Sequence, residues 1–151
     1  MKLTTAIRLL HLVIPWLTIF FLPRKSFNKF STVSVFAGIL VLILSTLAIP
    51  FKWWTVEGGH FKKLLNDLTF IMGPFFIGTL WIFHFTFGSF KKYLAVNAIM
   101  DLLFAYPLNY LYQRLNLYKL VKFKPTHIFL FFTSYAWIIY GYQEFFHRNN
   151  R

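Results

Sequence analysis

"STVSVFAGILVLILSTLAIPF", residues 31–51, runs for 21 positions without one ionisable side chain. At 1.5 Å rise per residue a helix of this length reaches about 30 Å, the thickness of a bilayer's hydrocarbon core. Working outward, comparable apolar runs cover residues 3–22, 68–88, 94–112 and 126–146. None shows the ten-residue alternation of a membrane barrel, and an isolated apolar run must satisfy its own backbone, so each is read as a helix. The expectation is an all-α fold. It is a polytopic transmembrane bundle of about five spanning helices with short basic loops, forming one domain over residues 1–151.

Composition agrees with this reading. Of the 151 residues 58% are hydrophobic and 23% aromatic, and only 13% are charged, about half the share of a soluble domain. The 16 Lys and Arg face just 4 acidic residues. The basic residues gather at the ends of the apolar runs, which points to anionic lipid headgroups as partners, at about 1 kcal/mol per cation near the surface. Nucleic acid is not expected, because no contiguous basic soluble face remains. The absence of cysteine removes disulfides, thiolate metal sites and cysteine nucleophiles.

The first run follows Met1-Lys2 and leads into "FLPRKSFNK" without a small-x-small cleavage pattern, so it is expected to stay as a span. "PRKSFNKF" (23–30) and "SFKKY" (89–93) read as tight basic turns, and "QRLNLYKLVKFKP" (113–125) as a basic interfacial segment with helical spacing. With five spans, the N-terminus and the second and fourth loops share one side and hold nine basic residues against seven opposite. That bias is too small to fix orientation. Insertion in both orientations is one reading, and dominance by one or two loops is the other.

Polar groups inside the apolar runs narrow the candidate sites. An aspartate at a helix centre costs about 2.5–3.5 kcal/mol on insertion, whereas each Leu, Ile, Phe or Val returns about 0.3–0.6. Asp101, in "NAIMDLLFAYPLN" (97–109), therefore nearly cancels the apolar content of the fourth run. Asn97 lies four residues earlier on the same face. In the first run Thr4, Arg8, His11, Pro15 and Thr18 form a narrow stripe. Antiparallel first and fourth spans would bring His11 level with Asp101 and Arg8 within reach. The expectation is that Arg8 and His11 hold Asp101, since intramembrane ionisable groups pair with one another. Such a cluster either fixes packing or forms a proton-linked or cation-binding site. A protonated, unpaired Asp101 is the third alternative.

Secondary candidates follow. His84 shares a side of the third run with Ile77 and Trp81 and is expected to be a hydrogen-bonded packing histidine, not a haem ligand. Glu144, level with Lys91 and Lys92, is expected to form an interfacial ion pair of small value. Trp53 and Trp54 open the longest connection, "KWWTVEGGHFKKLLND" (52–67), and mark an external contact or an interfacial anchor. Pro15, Pro74 and Pro107 are potential kinks. His60 and His127 have no metal partner at useful spacing.

No P-loop, GxSxG, HExxH or dinucleotide-binding turn is present. Four scattered acids cannot make a two-metal carboxylate cluster. No catalytic, metal or cofactor residue is assigned, and enzymatic activity is not favoured. The Phe, Lys and Asn bias is that of an AT-rich genome, which suggests a bacterial plasma membrane. The expected role is a small multi-pass accessory or interaction component, contacting another membrane protein or a copy of itself. A small transporter or ion-coupled carrier around Asp101 is the alternative, and an intramembrane lipid-modifying enzyme is third.

Overall fold

The computed structural model describes residues 3–149. Five helical rods account for nearly all of it: α1 (Leu3–Phe21), α2 (Arg24–Phe51), α3 (His60–Thr86), α4 (Phe90–Arg114) and α5 (Pro125–Asn149). The first four are long and apolar enough to cross a membrane. α5 has the length, with 25 residues, but its three tyrosines together with His127, Gln143 and Glu144 make it less apolar. The two-residue strands β1 (Trp54–Thr55) and β2 (Lys119–Leu120) pair antiparallel, with Trp54 opposite Leu120. They tie the α2–α3 and α4–α5 connections together at the end of the bundle where α1 begins.

The helices reach further into the basic segments than their apolar content suggests. α2 starts at Arg24, directly after Pro23; proline's fixed φ suits a helix entrance and its missing N–H costs nothing there. The 23–30 segment is thus mostly helix and not a turn. α3 likewise begins at His60, after Gly58 and Gly59 with φ of 105° and 96°, a left-handed pair that ends the preceding loop. Lys62, Lys63, Asn66 and Asp67 therefore lie on a helix, not in a loop. The 113–125 segment differs in the other direction. Asn116 turns left-handed at φ 60°, Leu117 is buried, and the Gln113 side chain accepts from the Leu120 N–H at 3.1 Å. These contacts replace the expected amphipathic helix by the β2 strand.

Two rods are wound loosely at a proline. Ile71–Phe75 in α3 and Phe104–Leu108 in α4 are π-helical turns containing Pro74 and Pro107. Proline cannot donate the i→i−4 bond, and the wider turn accommodates the ring. Just before Pro74, Gly73 faces α1 so closely that a Cβ there would lie 2.2 Å from the His11 carbonyl oxygen. α1 otherwise remains on the outside, with no buried residue.

The apolar core forms two clusters. One, built on Phe30, Leu80, Phe83, Tyr93 and Tyr140, sits towards the α3–α4 connection. The other, built on Leu44, Ala105, Phe123 and Ile128 with Trp53 and Trp54 against it, lies under the paired strands. The candidate site occupies the space between them.

Candidate functional site

A cavity of about 240 Å³ runs through the centre of the bundle, lined from α2, α3, α4 and α5 and from the β1 and β2 segments. Its wall is mainly apolar and aromatic. Both π-helical turns contribute to it, through Ile71, Pro74 and Phe75 on one side and Phe104 and Leu108 on the other. Widened turns re-aim the side chains around them, a device often found where helices border a binding site.

Two polar groups interrupt the wall. The first centres on Asp67, a residue not singled out in the sequence. Lys63, one helical turn earlier, approaches the Asp67 carboxylate to 2.6 Å and also donates to the Ser45 carbonyl at 2.9 Å. Ser45 donates its hydroxyl to the same carboxylate. The Trp54 indole N–H reaches both Asp67 oxygens, at 3.3 and 3.2 Å, and the Lys63 ammonium lies 4.7 Å above the Trp54 ring. Lys63 is 2% exposed and Asp67 9%. Each charge has an opposite charge and further hydrogen bonds, the condition under which a buried pair is tolerated. The signal in the sequence is the i, i+4 spacing of Lys63 and Asp67 just after the glycine break, which becomes a contact because the helix already begins at His60.

Arg8 and His11 belong to this end of the bundle and not to Asp101. Arg8 donates from Nε to Asn66 Oδ1 at 2.7 Å and from Nη2 to the Leu117 carbonyl at 3.3 Å. His11 bonds through Nδ1 to the Ile7 carbonyl and through Nε2 to the Tyr112 hydroxyl, both at 2.8 Å, and stacks on Phe70. The expected pairing of Asp101 with Arg8 and His11 is therefore replaced by other partners. Tyr112 lies 11 positions beyond Asp101 on α4, or about 16 Å along the axis at 1.5 Å per residue. His11 thus meets α4 about three helical turns nearer the loop layer than Asp101. Nearby, the Tyr118 hydroxyl donates to Asn109 Oδ1 at 2.5 Å. Burial, then the neighbouring Tyr112 and Asp67, hold that phenol above its ordinary pKa, so it stays a donor.

Asp101 forms the second polar group. It lines the cavity with Asn97 and Tyr93, and its Oδ2 atom is buried without a hydrogen-bond partner. Asn97 does share its face, as expected, but spends an amide N–H on the Tyr93 carbonyl one turn back, at 2.9 Å. Tyr93, 2% exposed, donates its hydroxyl to the Ala136 carbonyl at 2.9 Å. Lys63 pairs with Asp67 and Arg8 with Asn66 and Leu117, and no described Lys or Arg pairs with Asp101.

The other expected residues fall as follows. His84 bonds through Nδ1 to the Ser26 hydroxyl at 2.7 Å and meets Trp81 edge-on, the packing role anticipated for it. Glu144 makes no ion pair with Lys91 or Lys92; it stands instead against the Tyr140 hydroxyl one turn away. Trp53 stacks on Phe51 and Phe123. Trp54 is turned onto Asp67 and lines the cavity, whereas Trp53 packs against the Phe123 cluster under the paired strands; both are half-buried. Among the described residues no group of three or more His, Asp or Glu could hold a metal ion.

In comparisons with known proteins, no family model matches this chain, and neither a curated protein nor a solved structure matches it.

Proposed function

We propose that this protein is a small carrier of a bacterial plasma membrane, with five spanning helices and a substrate site in the central cavity. The observation that carries the reading is Asp101: a carboxylate oxygen without a partner, bordering a cavity and not a packed seam. A group that only fixed helix packing would be expected to have its hydrogen bonds made, as Asp67 has. The site is bordered by two proline-loosened helices, a recurrent way of building ligand sites in transport proteins. α5 completes its wall through Phe132, Tyr135 and Ala136, which is why we include it among the spans.

A second reading, an accessory component that docks on other membrane proteins, is favoured by α1. Leu9, Leu10, Val13, Ile14 and Leu17 on that helix are all exposed. They suit lipid equally well, so the cavity outweighs them.

Because the chain has no cysteine, a single Thr79→Cys variant reports directly on the cavity that Thr79 lines. The carrier reading expects methyl methanethiosulfonate, a small uncharged thiol reagent, to modify it in intact vesicles. A thiol left unmodified while the same reagent labels a loop cysteine would contradict it.

A further inference from the structure

The charges around the cavity are distributed against the composition of the chain. The sequence holds 16 Lys and Arg and 4 acidic residues. Two of those acids, Asp67 and Asp101, line the cavity, yet none of the described Lys, Arg or His side chains does. Lys63 stands outside the wall and is committed to Asp67 at 2.6 Å. Arg8 is committed to Asn66 and Leu117. The uncompensated group facing the interior is thus Asp101, an acceptor with a free oxygen.

The rest of the wall has the complementary character. Eleven of its twenty-nine side chains are aromatic, among them Phe70, Phe104, Tyr112 and Phe132. Phe70, Phe104 and Tyr112 meet edge to face, with centroids 5.2–5.5 Å apart for the Phe70 pairs. Aromatic faces attract a cation by about 0.5–2 kcal/mol each when water is excluded, and repel an anion. A buried carboxylate without a partner adds a Coulomb preference of the same sign. An uncharged apolar ligand would leave Asp101 unsatisfied, and an anion would meet it head on.

We infer that the cavity binds a small organic cation, a protonated or quaternary amine with an apolar body, its charge against Asp101 and its body among the aromatic rings. This rests on the carrier reading above and names the substrate class for the same site. No covalent step is involved: the ligand enters already charged and meets Asp101 as the carboxylate, and any proton that the carboxyl carries leaves to solvent as the cation binds.

Protection of the Thr79→Cys thiol tests the ligand class separately from access. Three probes of nearly equal shape are compared: benzyltrimethylammonium, neopentylbenzene, which replaces the nitrogen by carbon, and phenylmethanesulfonate. The inference expects the cation to slow modification by methyl methanethiosulfonate at about tenfold lower concentration than the neutral isostere, a ratio equivalent to about 1.4 kcal/mol, and the anion not to protect. It also expects the preference to vanish in Thr79→Cys/Asp101→Asn, with the thiol still reactive. Equal protection by the neutral isostere, no protection by the cation, or a preference that survives Asp101→Asn would overturn it. The comparison of the three probes on the single variant stands even where the double variant does not fold. A thiol that never reacts would instead remove the carrier reading, and the inference with it.

Discussion

Asp67 and Asp101 are the same side chain put to opposite uses. Asp67 accepts from Lys63, Ser45 and Trp54, so its charge is neutralised within one turn of its own helix. Removing one member of such a pair leaves the other buried and uncompensated, at a cost of about 3–5 kcal/mol. Lys63→Met is accordingly expected to lower thermal stability in detergent severely, whereas Lys63→Met/Asp67→Leu recovers most of the loss. A Lys63→Met protein as stable as the parent would show that the pair contributes nothing. At this scale the sequence was only half legible. Asp101 stands out because its neighbours are apolar, and its placement on a polar face with Asn97 holds. Asp67 does not stand out, because Lys62, Lys63 and Asn66 beside it make the segment look like solvated loop. Arg8 and His11 were identifiable as polar residues of α1, but their partners depend on how far α1 slides against α3 and α4, which spacing within one helix cannot fix.

At the scale of the element, the helices and their order were readable from apolar runs alone, because a backbone that has lost water must bond to itself. Their ends were not. Pro23 and the Gly58-Gly59 pair start helices inside basic segments, and hydropathy does not register either signal. The proline-loosened turns at Ile71–Phe75 and Phe104–Leu108 were anticipated as kinks, and they appear as widened turns facing the cavity. The first of them depends on Gly73. A methyl group there would meet the His11 carbonyl at 2.2 Å, and backbone on both sides leaves little to yield. Gly73→Ala is expected to cost about 1–3 kcal/mol, the usual range for overpacking, and to loosen α1. Unchanged melting and unchanged protease resistance of the α1 end would contradict the close approach.

For the whole molecule, the strand pair fastens the two longest connections over one end of the cavity. Thr55 and Lys119 are partners in that pair, a separation that a disulfide bridges when neighbouring Cα atoms lie about 4.4–6.8 Å apart. Thr55→Cys/Lys119→Cys, in a chain otherwise free of thiols, is expected to oxidise readily within one molecule and shift its gel mobility. Failure to form that bond while remaining folded would mean that the two connections are not joined. This contact spans sixty-four positions and involves two residues on each side. It carries no periodicity, so nothing in the sequence announced it.

The division of labour between the two aspartates is most directly tested by comparing the melting temperatures of Asp67→Asn and Asp101→Asn in the same detergent. A large fall is expected for Asp67→Asn, which leaves Lys63 without its counter-charge. An unchanged or higher value is expected for Asp101→Asn, which removes a carboxylate that no group of the protein satisfies. A protein that tolerates Asp67→Asn but collapses with Asp101→Asn would contradict this division, because Asp101 would then be holding the bundle together and would not be open to a ligand.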